Sequence, residues 1–161
     1  PALFLRKAEP ARLNLIVFLR KMLYNNKMKP FYLGDKLPKE RAANMNAVVL
    51  AFVGDAVYSL YVREKLAFSS DAKAGELNRL ATAEVKAAAQ AAFIAELIPR
   101  LTEEELAIYK RARNSKKGTK AKSSSVQEYN MSTGFEAVVG YLYVTGETER
   151  LNELLNFKVR S

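Results

Sequence analysis

The sequence predicts an all-α domain, and three observations carry that reading. Ala, Leu, Glu and Lys, all good helix formers, recur along the whole chain. Glycine is scarce, at 7 of 161 residues. No segment sustains the strict apolar–polar alternation of a half-buried strand. The length suits one main domain, and a hydrophobic fraction of 49% can fill its core.

Residues 1–27 read as a basic extension, an amphipathic helix laid over the main domain of 28–161. They hold Arg6, Lys7, Arg12, Arg20, Lys21 and Lys27 against Glu9 alone, which supplies +5 of the net +9. Lys29–Arg41, with Pro30, Gly34 and Pro38, is loop-like. Asn46 is placed to cap a long helix reaching about Leu66. Ser69-Ser70-Asp71 caps a second helix, and Thr82 starts a third that Pro99 ends. Thr102 and Glu105 have capping-box spacing for a fourth. Arg113–Asn130 has the polar composition of a loop. Ser132 or Thr133 then opens a helix through Val144, and Glu147–Phe157 forms the last.

Composition also limits the chemistry. There is no His, so the acid–base pair of metal-free ribonucleases is excluded, as is the commonest transition-metal ligand. There is no Cys, hence no disulfide and no thiolate site, which fits a reducing compartment. Hydrolytic chemistry would have to rest on carboxylates with a hard divalent cation. The net charge of +9 favours a polyanionic partner. No stretch approaches the roughly 20 apolar residues of a membrane span. Leu13–Leu19 is followed by Arg20-Lys21 without a small-residue cleavage site, so the expectation is a soluble cytoplasmic protein with no membrane partner.

Two lone carboxylates stand out. The fifteen residues Ala47–Tyr61 contain one charge, Asp55, and Met131–Val144 contain one, Glu136. Helices this apolar are expected to be buried over most of their circumference. A buried carboxylate must be neutralised, paired or bound to a cation, so the two are candidates for one shared cation site. Structural alternatives stand beside this. Asp55 can pair with Arg63 or Lys86, and Glu136 has the spacing of a capping-box partner for Thr133. Gly54, beside the acid, is costly inside a helix and implies close approach of another helix or of substrate backbone.

Ala51-Phe52-Val53-Gly54-Asp55-Ala56-Val57 resembles the signature of the ribonuclease III family. Ser132-Thr133-Gly134-Phe135-Glu136-Ala137-Val138-Val139-Gly140-Tyr141 resembles that family's second acidic helix. Between them, Lys110-Arg111-Ala112-Arg113-Asn114-Ser115-Lys116 and Val126-Gln127-Glu128-Tyr129 are similar to its Mini-III branch. The resemblance runs from about Asn46 to Phe157. It implies an all-α ribonuclease III endonuclease-domain fold acting as a homodimer, whose two subunits form a valley for an RNA duplex. It further implies a double-strand-specific endoribonuclease with Asp55 and Glu136 as catalytic residues and ligands of Mg²⁺, with Mn²⁺ as an alternative. Products would carry 5′-phosphate and 3′-hydroxyl ends, and the branch's association with large-subunit (23S) ribosomal RNA precursors suggests the substrate. Full-length members carry further carboxylates where this chain has Ala51 and Thr133, which implies a leaner metal site. That loss also motivates the competing reading, an inactive ribonuclease III-like RNA-binding or ribosome-associated protein.

The RNA contacts are expected in the segment between the acidic helices. Lys110, Arg111, Arg113, Lys116, Lys117, Lys120 and Lys122 fall within thirteen residues that hold no acid, with Asn114 among them. Such a cluster binds a polyanion through counterion release. Duplex RNA is read mainly through its shape, phosphates and 2′-hydroxyls, which suits a Lys/Arg/Ser loop.

Overall fold

A computed structural model of the protein describes residues 35–115 and 125–157. The extension 1–27 and the basic residues Lys116, Lys117, Lys120 and Lys122 lie outside the described residues. Within them the all-α expectation holds. The helices are α1 (Lys39–Ala43), α2 (Ala47–Ser69), α3 (Ala74–Glu84), α4 (Ala87–Leu97), α5 (Glu103–Arg113), α6 (Val126–Val144) and α7 (Thr148–Leu155), with one 3-10 turn at Ile98–Arg100.

Local chemistry sets several of these boundaries. The Asn46 side chain accepts the Val48 N–H at 2.9 Å and starts α2 where the sequence predicts it. Thr102 and Glu105 form the expected reciprocal box, with Glu105 N donating to Thr102 Oγ1 (3.2 Å) and Thr102 N to Glu105 Oε2 (2.9 Å). At the end of α6, Gly146 takes φ +70°. Its N–H meets the Tyr143 carbonyl at 3.0 Å and Glu147 N–H meets that of Leu142 at 2.9 Å, the paired bonds of a Schellman stop.

Several expectations are corrected. α6 does not begin at Ser132 or Thr133. It begins at Val126, because Ser125 and Glu128 form a second capping box. The predicted Arg113–Asn130 loop therefore loses its last five residues to helix. Thr82 lies inside α3, where its hydroxyl donates to the Asn78 carbonyl at 2.7 Å instead of capping the next helix. The break falls three residues later, at Val85-Lys86. Ser70 accepts the Ala72 N–H at 3.0 Å, but α3 starts at Ala74, after Lys73. The Lys29–Arg41 loop contains the start of α1.

α6 is the axis of the fold. From Ser132 to Leu142 every residue is buried except Glu136, which is half-buried. α2, α4 and α5 pack around it. Phe135 is met edge-on by Tyr58 of α2 (centroids 4.9 Å) and by Phe93 of α4 (5.6 Å). Fully burying a side chain of this size contributes on the order of 1.5–3 kcal/mol. As α2 advances from Leu50 through Gly54 to Tyr58, its neighbours on α6 recede from Gly140 to Phe135, so the two helices run antiparallel.

Their crossing is backbone on backbone. A Cβ on Gly54 would overlap the Glu136 carbonyl oxygen and stand 2.8 Å from the Gly140 nitrogen. A Cβ on Gly140 would overlap the Leu50 carbonyl oxygen and stand 3.0 Å from Gly54 N. The cost of glycine inside a helix is thus offset by an approach no other residue permits. Elsewhere α7 is tied to α5 by Arg150, whose Nε and Nη2 each lie 2.9 Å from the carboxylate of the buried Glu105. Burial alone would raise that carboxyl's pKa, but the Arg150 guanidinium and the Thr102 N–H hold it below the usual carboxylate range.

A pair of substitutions tests the crossing. Gly54→Ala should lower unfolding free energy by about 1–3 kcal/mol, because main chain cannot move aside as a side-chain tip can. Gly75→Ala, in α3 with nothing within 4 Å of the added Cβ, should be neutral or stabilising by up to about 1 kcal/mol. Urea denaturation of both variants gives the comparison, and equal stability would refute the close crossing.

Candidate active site

The glycine contact that joins α2 to α6 also brings the two lone acids to one level. Asp55 follows Gly54 directly, and Gly54 rests on the Glu136 main chain. At about 100° per residue, Gly54 faces inward and Asp55 falls at the rim between the buried and open sides of α2. The structure places Asp55 in solvent, which corrects the expectation of a carboxylate sunk in an apolar helix. The reason is that α2 is apolar all round but, among the described residues, covered on one side only. Leu50, Ala51, Gly54, Tyr58 and Val62 are buried, whereas Val49 is 47%, Phe52 81% and Leu60 43% exposed.

Among the described residues the Asp55 carboxylate has no hydrogen-bond or ion-pair partner. Arg63, one of its two possible cations, spends its Nη1 on the Ser59 carbonyl at 3.1 Å. Lys86 is the exposed N-cap of α4. The capping-box reading of Glu136 also falls, because Thr133 lies well inside α6 and its hydroxyl donates to the Tyr129 carbonyl at 2.9 Å. Ala51 and Thr133 are 3% and 4% exposed, packed into the core on either side of the crossing. Among the described residues no group of three or more Asp, Glu, His or Cys side chains is arranged to hold a metal ion. Asp55 and Glu136 are the acids that adjoin the crossing along α2 and α6. Two carboxylates with no nitrogen or sulfur ligand suit a hard divalent cation that keeps several waters.

The described part of the basic segment is the last turn of α5, where cations also suit the helix dipole. Lys110 is exposed, and Asn114 is the C-cap. The Arg113 guanidinium lies 5.7 Å from the Tyr109 ring centroid, and its Nε donates to Asn114 Oδ1 at 3.1 Å. The Tyr109 ring in turn sits against Gly134, where an added Cβ would come within 2.5 Å of ring carbons. Gly134 is two residues from Glu136, so this contact fixes the basic end of α5 beside the acidic part of α6. Arg111 points elsewhere, donating from Nη2 to the Met45 carbonyl at 3.1 Å.

Two participants escape the sequence reading. Gly140 is visible there only as part of a pattern, because its partner lies in another helix and spacing along one chain does not reveal it. Tyr109 reads as an ordinary core aromatic. The sole hint of its role is the glycine at 134, a residue that is costly inside a helix unless something approaches closely there.

Comparison with known proteins identifies the family. The model of the ribonuclease III domain matches residues 48–147, which includes both acids and the segment between them. The chain is 41% identical over 133 residues to Mini-ribonuclease 3 of Clostridium tetani, covering 82% of this chain and 88% of that protein. It is 48% identical over 118 residues to Mini-ribonuclease 3 of Streptococcus pneumoniae, covering 72% and 92%. The crystal structure of a Fusobacterium nucleatum protein superposes with a TM-score of 0.64 at 31% identity, over 70% of this chain and 90% of that one. With a helical fold built on the Gly54–Gly140 crossing and relatives this close, the chain belongs to the Mini-ribonuclease 3 branch of the ribonuclease III family and is a ribonuclease III-type endoribonuclease.

Proposed function

We propose that the enzyme is a Mg²⁺-dependent, double-strand-specific endoribonuclease that works as a homodimer in the cytoplasm on large-subunit ribosomal RNA precursor. The observation that carries the proposal is the solvent-facing Asp55, without a partner among the described residues and next to the glycine that meets the Glu136 main chain. A bare carboxylate at the rim of an apolar surface adds nothing to packing, so its value lies in what it binds. Asp55 and Glu136 would hold the cation, with Mn²⁺ able to replace Mg²⁺. What a divalent cation supplies at such a pair is activation of a water and stabilisation of negative charge on the phosphate. Lys110, Arg113 and Asn114, together with Lys116, Lys117, Lys120 and Lys122, would contact duplex phosphates and place the scissile bond over the acids. No helix among the described residues is long and apolar enough to cross a membrane.

The open side of α2 supports the dimer. Val49, Phe52, Ala56 and Leu60 form one exposed stripe at helical spacing. An apolar strip of this kind is costly in water, and a two-fold dimer would cover it with its own copy. Phe52 precedes Asp55 by one turn, so the same interface would set two acidic sites on one duplex.

Two outcomes follow. Asp55→Asn should reduce cleavage of a long RNA duplex in Mg²⁺ by a hundredfold or more, a loss of about 3 kcal/mol or above. Its circular dichroism and duplex binding should stay unchanged, since the side chain is exposed and the amide nearly isosteric. Cleavage by Asp55→Asn at the wild-type rate would remove Asp55 from the site. Phe52→Lys would place two like charges near the axis and should convert the dimer to monomer in sedimentation velocity. A wild-type protein that sediments as a monomer at micromolar concentration would rule out the dimer.

A further inference from the structure

The last turn of α5 carries three cations, but they do not do the same thing. Lys110 is exposed, and Arg113 stays with Tyr109 and Asn114. Arg111, although exposed, turns its guanidinium back onto the protein to reach the Met45 carbonyl, sixty-six residues away in sequence. That carbonyl is a particular one. Met45 precedes the N-cap of α2, and the first turn of α2 bonds to Asn46, with Val49 N and Leu50 N at 3.0 and 3.1 Å from its carbonyl. The Met45 carbonyl therefore lies outside the α2 ladder and takes its donor from α5. The main chain of Arg111 is engaged as well, since its carbonyl accepts the Ser115 hydroxyl at 2.8 Å. Ser115 follows the Asn114 C-cap of α5.

We infer that Arg111 is a positioning residue, which locks the RNA-facing end of α5 to the start of the Asp55 helix and is not itself a phosphate ligand. The same end of α5 is fixed to the Glu136 helix through Tyr109 and Gly134. With Arg111 it is tied both to α6 and to the start of α2, which holds the last turn of α5 in place against the crossing. An arginine suits this task because its planar fork holds a carbonyl in a defined direction while the charge stays hydrated. The inference rests on the proposed duplex-binding reading for its binding and kinetic consequences, and on the fold alone for its effect on α2.

The test uses the whole chain of residues 1–161 with Arg111→Ala, Arg111→Lys and Lys110→Ala. By amide hydrogen exchange, Arg111→Ala should speed exchange at Val48, Val49 and Leu50 by roughly tenfold, because the bond anchoring that turn is lost. Arg111→Lys should recover part of the protection, and Lys110→Ala should leave it unchanged. With a fixed RNA duplex, Arg111→Ala should keep the wild-type slope of log binding constant against log salt, whereas Lys110→Ala should lower it by about 0.9 for one phosphate contact. At saturating duplex the kcat of Arg111→Ala should fall about tenfold with KM little changed, with partial rescue in Arg111→Lys. Wild-type exchange at Val48–Leu50 in Arg111→Ala overturns the inference, as does a salt slope reduced as much as in Lys110→Ala. If the wild-type protein neither binds nor cuts duplex RNA, the functional reading fails, while the exchange result still decides the role of Arg111 in the fold.

Discussion

The contact of Gly54 with Gly140 is the constraint on which the rest of the structure depends. Helix axes usually stay 8–10 Å apart because side chains stand between them. Here α2 and α6 touch through main chain, with the Leu50 and Glu136 carbonyls lying where Cβ atoms would otherwise be. This contact leaves α6 buried on every side from Ser132 to Leu142 except at Glu136. It also sets Asp55 at the rim of α2, directly after the touching residue. Core packing and the placement of both acids next to the crossing thus follow from one geometric fact, which explains why a residue unfavourable in helices occurs in both.

Much of this is legible in the sequence, because the signals are local. The Asn46 cap and the Thr102–Glu105 box need only side chains within three residues of a helix start, and both form as expected. The two lone acids and the close approach at Gly54 are legible for the same reason. Ser125 and Glu128 have the same box spacing, but they follow a Lys/Ser-rich stretch whose composition reads as loop, so the start of α6 is placed too late. Thr82 fails in the opposite way, since a threonine hydroxyl can bond back into its own helix as readily as cap the next.

The exposure of Asp55 is a different kind of miss. A helix that is apolar all round carries no moment to say which face is covered, and the expectation of burial assumes that apolar residues find cover within their own chain. Among the described residues this helix does not, as Phe52, 81% exposed, shows. Asp55 belongs to that open side. Its charge therefore needs no partner for folding, which leaves it available for a ligand. The basic end of α5 is divided in a way that composition also hides. Charge counts treat Lys110, Arg111 and Arg113 alike, whereas Lys110 is exposed and the two arginines bond to different partners.

Whether the crossing creates a cation site is tested most directly by following Mn²⁺ uptake through its electron paramagnetic resonance signal. This can be done without RNA, on the wild-type protein and on Asp55→Asn and Glu136→Gln separately. If the two acids share one ion, the wild-type protein takes up Mn²⁺ and either substitution alone weakens uptake by tenfold or more, about 1.4 kcal/mol or above. Wild-type affinity in both single variants would contradict a site built from the pair.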